Sequence, residues 1–257
     1  MAVRGRSRVL LGAAPGVGKT YAMLDEGKHL RAGGSDVVIA VVETHGRAAT
    51  AAMTEGMEVI PRHYVECRGI ELPEMDLDGV LAQHPDVALV DELAHTNAPG
   101  SRNEKRWQDV EELLEAGIDV ISTVNIQHIE SLNDVVEQIT GVPQRETVPD
   151  TVLRRASQVE VVDLAPQALR DRLSSGKVYP AERIDAALSN YFRLGNLTAL
   201  RELALLWVAD EVDHALADYR SEHGIDSRWE ARERVVVALT GGREGETLVR
   251  RGARLAV

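Results

Sequence analysis

Short apolar runs alternate with helical patterns through the first 165 residues of the chain. Runs that are apolar throughout and rich in β-branched residues, such as 37–42 and 87–90, are typical of strands buried on both faces of a parallel sheet. Several helical segments end at glycine, the residue favoured just after a helix C-terminus. This alternation predicts an α/β fold in which a mainly parallel sheet carries helices on both faces.

The pattern places the elements as follows. The predicted strands are 37–42, 61–65, 87–90, 119–123 and 159–164. The predicted helices of this part are 20–32, an Ala-rich stretch ending at 55, 76–83, 107–116 and 129–140. Beyond residue 165 the pattern is only helical, with predicted helices at 166–173, 180–190 and 197–219. The apolar stripe of the last helix requires a partner surface, either the sheet domain or another subunit.

The end of the sequence has a different character. Residues 221–233 are polar and charged, which predicts a linker. The apolar run 235–239 predicts a strand, and 246–256 predicts a helix. Because one strand and one helix cannot bury a core, we expect the sequence to stop just inside a second α/β domain.

A glycine-rich turn follows the first apolar run and leads into the first helix. Such a strand–loop–helix arrangement binds phosphate through loop N–H groups and the helix N-terminus. Lys19 is predicted to reach the β- and γ-phosphates, and the Thr20 hydroxyl to bind Mg²⁺. The motif has Ala13 where glycine is usual, and alanine is small enough for the loop to close. The predicted nucleotide-binding residues are Ala14, Pro15, Gly16, Val17, Gly18, Lys19, Thr20 and Tyr21.

Two acidic residues follow the apolar run 87–90. An aspartate at the end of such a strand holds Mg²⁺ in phosphate-loop nucleotidases, so Asp91 is the predicted partner of Thr20 at the metal. Glu92 is the candidate catalytic residue, because a carboxylate there can orient or deprotonate an attacking water or hydroxyl. A solvated loop acid is an equally good interpretation of Glu92.

Other polar residues follow the ends of predicted strands, where open α/β sheets bind ligands. They are candidates for contact with substrate or the γ-phosphate, or for helix caps and solvated side chains. The loop 91–106 is long and without periodicity, so its arginines could act as arginine fingers or lie on a solvated helix start. The candidates are Glu43, His45, Arg47, Arg102, Arg106, Asn125 and Gln127.

Composition narrows the choice of function. The formal net charge of −12 disfavours nucleic acid as a partner. The single cysteine, Cys67, excludes an internal disulfide and fits a reducing cytoplasm. No apolar run approaches the roughly 20 residues of a membrane span, and the N-terminus lacks a signal-peptide core. We therefore expect a cytoplasmic chain that does not itself cross a membrane.

Five segments together resemble one family. They are GAAPGVGKTY at 12–21, VETHGR at 42–47, VDELAHTN at 90–97, NIQH at 125–128 and YFRLGNL at 191–197. These segments are similar to the N-terminal cytoplasmic domain of the KdpD osmosensitive potassium-channel sensor histidine kinases. Residues 234–257 resemble the start of the universal-stress-protein-like domain that follows in that family.

The resemblance implies a domain that binds ATP and Mg²⁺ and regulates a two-component response to potassium limitation or osmotic stress. The implied domains are a P-loop core at 1–164, a helical extension at 165–220, the linker at 221–233 and the truncated universal-stress-protein-like segment at 234–257. The implied partners are the universal-stress-protein-like, transmembrane and histidine kinase regions and, through them, the KdpE response regulator. A homodimer is left open.

The sequence as given carries neither the histidine kinase core nor the membrane spans of that family. We therefore expect an excised piece or a truncated relative that cannot autophosphorylate on histidine. The alternative is an active P-loop ATPase, or a kinase acting on a Ser/Thr hydroxyl or a small molecule. No base-reading motif distinguishes ATP from GTP.

Overall fold

The computed structural model describes residues 3–176, 178 and 187–225, and eight strands lie within them. The strands are β1 (Ser7–Gly12), β2 (Val37–Val41), β3 (Glu58–Val59), β4 (His63–Cys67), β5 (Ile70–Glu74), β6 (Val87–Val90), β7 (Asp119–Asn125) and β8 (Gln158–Val161). Six of them form one sheet in the order β3-β2-β6-β7-β1-β8. All neighbouring pairs in this sheet are parallel, which confirms the predicted α/β fold.

Helices connect these strands. The α-helices are α1 (Lys19–Ala32), α2 (Ala48–Thr54), α3 (Leu77–Gln83), α4 (Arg106–Glu115), α5 (Asn133–Thr140), α6 (Asp150–Arg154), α7 (Pro166–Ser174) and α8 (Leu194–Glu222). Two 3₁₀ turns, Ile126–His128 and Glu130–Leu132, lie between β7 and α5. No helix of the described residues is long and apolar enough to cross a membrane.

Alternate residues of the central strands belong to separate core clusters. Val9 and Leu11 of β1 are in one cluster, and Leu10 is in another. In β2, Ala40 joins the first cluster and Ile39 the second. Because successive side chains of a strand point to opposite faces, both faces of the sheet are covered.

Helices from the two sides complete these clusters. Met23 and Leu24 of α1 are fully buried in the cluster that contains Leu10. Leu113 and Leu114 of α4 are buried in the other. The helices therefore cover the two faces of the sheet, and the carboxyl ends of its strands are left to carry polar side chains.

The structure also differs from the predicted elements. Strand β7 continues two residues further than predicted, to Asn125, which lies opposite Gly12 of β1. The helix predicted at 129–140 is wrong over its first four residues, since α5 begins at Asn133 after the 3₁₀ turns. The antiparallel hairpin of β4 and β5 replaces the short strand predicted at 61–65. Helix α6 and strand β3 were not predicted.

Helix α8 is longer than predicted, spanning 29 residues from Leu194 to Glu222. Residues up to Glu211 belong to one compact unit, and residues from Val212 onward belong to a second. The helix predicted at 180–190 falls largely outside the described residues, as do most of the predicted linker at 221–233 and all of the segment at 234–257. The predicted domain boundaries stay predictions.

Candidate functional site

The glycine-rich loop joins the end of β1 to the start of α1, and its backbone depends on glycine. Gly16 has φ +91° and Gly18 has φ +116°, in the left-handed region that side chains disfavour. A Cβ on Gly12 would lie 2.6 Å from a methyl of Val17. The close approach of the Val17 side chain therefore requires glycine at position 12. Ala13, where the usual motif has glycine, is accommodated as a buried core residue.

A polar cavity opens at the carboxyl ends of β1, β6 and β7 beside this loop. It brings together most of the predicted site residues: Pro15, Gly16, Gly18, Lys19, Thr20, Tyr21, His45, Arg47, Asp91, Glu92 and Asn125. Ala14 and Val17 of the loop instead pack into an apolar cluster with α7. The strand order produces this convergence, because β7 lies between β1 and β6.

Thr20 and Asp91 lie against each other in the cavity. The Thr20 hydroxyl is 3.1 Å and 3.2 Å from the two Asp91 carboxylate oxygens. Asp91 also accepts hydrogen bonds from the Thr123 hydroxyl at 2.5 Å and from the Glu43 backbone N–H at 3.2 Å. Burial raises the pKa of Asp91 despite these donors. A hydroxyl and a carboxylate side by side are an oxygen donor set that fits Mg²⁺.

No group of three or more His, Cys, Asp or Glu side chains that could hold a metal occurs in the described part of the chain. Within that part of the chain, the His95 Nε2 lies 3.0 Å from a carboxylate oxygen of Glu74.

Lys19 is nearly inaccessible to solvent and donates a short hydrogen bond to Oδ1 of Asn125. Burial lowers the pKa of its ammonium from 10.5 to about 8, and the nearby charge of Arg47 adds to that effect. The Arg47 side chain lines the same cavity and donates to the Val178 carbonyl at 3.4 Å. A buried cation beside a second cation and backbone N–H groups is an arrangement suited to an anion.

Glu92 and His45 form an ion pair across the cavity. The His45 Nε2 lies 2.9 Å from Glu92 Oε1. His45 has φ +50° and Glu92 has φ +57°. Positive φ is uncommon for residues other than glycine. Burial raises the pKa of Glu92, but the His45 hydrogen bond and the charges of His45, Arg106 and His95 outweigh it, so the net pKa is lowered. The Glu92 hydrogen bond raises the pKa of His45.

These two shifts predict a pH window for the pair. The raised pKa of His45 gives stability that is present below pH 6.5 and is lost as the pH rises through the folded-state pKa. The lowered pKa of Glu92 gives stability that is present above pH 4.5 and is lost as the pH falls. Both side chains are nearly half exposed, so the pair should contribute less than about 1 kcal/mol.

We expect Glu92→Gln to lower the pKa of His45 toward 6.5, because it removes the acceptor charge. A histidine NMR titration of the wild type and the variant measures this pKa, and His45→Gln identifies the resonance. An unchanged His45 pKa in Glu92→Gln would show that the two side chains do not pair in solution.

Four of the predicted contacts lie elsewhere. The Glu43 carboxylate accepts from Arg62 at 2.8 Å, so only its backbone reaches Asp91. Arg102 pairs with exposed Asp78 and with Glu112, away from the cavity. These side chains are held by partners distant in sequence, which no local pattern indicates.

The other two are buried connectors. Arg106 donates to the Asp91 carbonyl at 3.0 Å and lies 3.5 Å from the Glu74 carboxylate. Gln127 accepts from the Tyr191 hydroxyl and donates to Gln144 at 3.2 Å. Neither side chain lines the cavity.

Comparison with known proteins gives the family. Residues 3–212 match the model of a family described as KdpD, the osmosensitive K⁺ channel His kinase sensor domain. The chain belongs to the KdpD family. The resemblance inferred from the five sequence segments is thereby confirmed.

Three relatives illustrate the match, each bearing the name Sensor protein KdpD. Those of Rathayibacter rathayi, Mycobacterium tuberculosis (strain H37Rv) and Escherichia coli (strain K12) are 70%, 67% and 53% identical to this chain. The matches cover 94%, 98% and 98% of this chain but 28%, 29% and 28% of the relatives. The chain therefore spans less than a third of the length of these KdpD proteins.

The cavity of this KdpD-family chain also contains Thr123, Glu146 and Arg172, which the sequence did not single out, and His128, the last residue of the NIQH segment at 125–128. Thr123 comes from inside β7, His128 and Glu146 follow that strand, and Arg172 comes from α7. Burial lowers the pKa of His128, whose Nδ1 lies 2.8 Å from the Glu146 carbonyl. The position of Thr123 depends on the sheet order, with β7 beside β1, and the position of Arg172 depends on the packing of α7 against the loop. No local motif encodes either arrangement.

Proposed function

We propose that this chain is an ATP- and Mg²⁺-binding regulatory domain of a cytoplasmic sensor region in a two-component histidine kinase. The observation that carries the proposal is the cavity in which Lys19, Thr20 and Asp91 meet at the N-terminus of α1. The signal, potassium limitation or osmotic stress, is inferred from the family description.

Each residue has a proposed task. The loop N–H groups and Lys19 would bind the phosphates, since the partial positive charge of the helix N-terminus adds to the ammonium. An ammonium with a pKa lowered to about 8 should regain a higher pKa when anionic phosphates surround it. Thr20 and Asp91 would hold Mg²⁺, which supplies charge neutralisation between the phosphates when it is bound.

The helical extension offers a route from nucleotide to signal. Leu169 and Leu173 of α7 are buried in the same apolar cluster as Ala14 and Val17 of the loop. A ligand that fixes the loop would therefore bias the position of α7, and through it the remaining domains of the sensor kinase and the KdpE response regulator.

Calorimetric titration of ATP into the chain, with Mg²⁺ and then with EDTA, tests the proposal. We expect saturable binding that weakens when Mg²⁺ is removed, because the Thr20 and Asp91 oxygens would then face the phosphates without a cation. Absence of binding in the presence of Mg²⁺ would contradict the proposal.

A second candidate function is ATP hydrolysis or phosphate transfer. The observation in its favour is Glu92, whose lowered pKa leaves a carboxylate lining the cavity next to Asp91. Such a carboxylate could accept the proton of a water or hydroxyl while the water or hydroxyl oxygen bonds to the γ-phosphorus and ADP leaves.

Incubation with labelled ATP distinguishes the two functions. Release or transfer of phosphate that is lost in Glu92→Gln would favour the enzyme, and binding without product would favour the regulatory domain.

A further inference from the structure

Arg172 reaches the phosphate-binding cavity from the helical extension. It lies on α7, and its side chain lines the cavity that contains Lys19 and Thr20. A Cβ built on Gly18 would lie 3.6 Å from Nη1 of Arg172, so the guanidinium stands over the loop at the start of α1. This position is next to the backbone N–H groups that are proposed to surround phosphate.

The surroundings of Arg172 leave its charge available. Within residues 3–176, 178 and 187–225, no acidic side chain pairs with it, and its guanidinium donates no hydrogen bond; its carbonyl accepts one from the Ser175 hydroxyl. Its neighbour Arg170 is committed to the fold, since it donates to the Phe192 carbonyl at 2.6 Å. A half-buried guanidinium that pairs with no acidic side chain of the described residues, and that lines the same cavity as Lys19, is suited to bind an anion.

We propose that Arg172 binds a nucleotide phosphate in cis and thereby ties α7 to the occupied loop. This inference rests on the proposed nucleotide function and adds the residue through which the helical extension senses the phosphates. The planar guanidinium offers paired N–H donors that match phosphate oxygens. The apolar contacts of Leu169 and Leu173 with the loop place α7 so that Arg172 can make this contact without a large movement.

The test compares Arg172→Ala with Arg155→Ala in calorimetric titrations of Mg-ATP, Mg-ADP and adenosine. Arg155 is an exposed arginine at the end of α6 that does not line the cavity, so it controls for loss of one positive charge. We expect Arg172→Ala to weaken the two phosphorylated ligands by about 10- to 100-fold, the value of a charged hydrogen bond, and Arg155→Ala to leave them within about twofold. Any affinity for adenosine should not change, since adenosine has no phosphate.

A second measurement tests whether nucleotide binding restrains α7 through Arg172. Hydrogen exchange of the α7 amides should slow on addition of Mg-ATP in the wild type and slow less in Arg172→Ala, with equal thermal midpoints of the two ligand-free proteins. If the wild type binds Mg-ATP and Arg172→Ala binds it equally well, the inference is wrong while the proposed function stands. If the wild type does not bind, the proposed function itself fails.

Discussion

Replacing Lys19 with alanine is expected to remove nucleotide binding while leaving the fold intact. The Lys19 ammonium is the most buried cation of the cavity, at 7% exposure, and its three N–H donors are proposed to face the phosphates. Each charged hydrogen bond that is lost removes about 1.5–3 kcal/mol, so we expect Mg-ATP affinity to fall by at least about 100-fold. Calorimetry of the wild type and the variant measures this difference.

The stability of the Lys19→Ala variant provides an independent readout. Burial lowers the pKa of Lys19 from 10.5 to about 8, so at pH 7 the charged side chain costs the ligand-free fold about 3 kcal/mol. Because the folded-state pKa is lowered, this cost is present below pH 8 and disappears as the pH rises to 10.5. Removing this cost should offset part of the packing and of the Asn125 hydrogen bond that the variant loses, so urea denaturation at neutral pH should show a folded variant with only a modest loss of stability.

Lys28→Ala is the matched control. Lys28 belongs to the same helix but does not line the cavity, so its removal should leave Mg-ATP affinity unchanged. Lys19→Arg keeps the charge but enlarges the head group in a buried position, and we expect it to bind weakly as well. Unchanged affinity in Lys19→Ala, with normal folding, would refute the assignment of the phosphate site.

The elements that sequence reasoning found are those that carry a local signal. Strands β2 and β6 are apolar at every position, which is possible only where both faces are covered, and they were predicted within one residue. The hairpin strand β5 was not predicted, because most of its residues are exposed and it contains Pro73, a residue that disfavours strands. The start of α5 was misplaced because Ile126 in the first 3₁₀ turn and Ile129 between the two turns have the spacing of a helical apolar stripe, while both are buried in the core.

The site follows the same distinction. Lys19, Thr20 and Asp91 belong to local motifs, and the structure brings them together. Glu43 also follows a predicted strand, but its carboxylate accepts a hydrogen bond from Arg62. That pairing depends on the tertiary fold and has no local sequence signal. Arg172 carries no local signal at all, because its place over the loop arises from packing of α7 against it. Local motifs could therefore predict that Lys19, Thr20 and Asp91 lie together, but not which side chains distant segments add to the cavity.

The two arginines of the loop 91–106 should respond very differently to replacement. Arg106→Ala is expected to reduce the free energy of unfolding by about 3–5 kcal/mol, whereas Arg102→Ala should reduce it by less than about 1 kcal/mol. Arg106 is 1% exposed and Arg102 is 54% exposed, measured on the side chains. Urea denaturation of both variants at neutral pH measures the contrast, with Arg102→Ala as the control for loss of one positive charge.

The two effects differ because the partners that lose an arginine are buried in one case and exposed in the other. Without Arg106, the buried Glu74 carboxylate keeps His95 at 3.0 Å and the Ala98 N–H at 2.7 Å but loses its permanent cation. The Asp91 carbonyl also loses its donor at 3.0 Å, which would loosen the strand end that presents Asp91 to the cavity. Arg102 leaves only exposed Asp78 and partly exposed Glu112, which water can solvate.

A double replacement separates charge from packing. Arg106→Met fills most of the same volume but leaves Glu74 uncompensated, so it should be nearly as destabilising as Arg106→Ala. Adding Glu74→Gln to Arg106→Met should recover part of the lost stability, because the buried charge is then gone. Equal and small effects of Arg106→Ala and Arg102→Ala would show that Arg106 is solvated. That result would favour the alternative in which Arg106 acts as an arginine finger. The hydrogen bond from Arg106 to the Asp91 carbonyl favours the structural role instead.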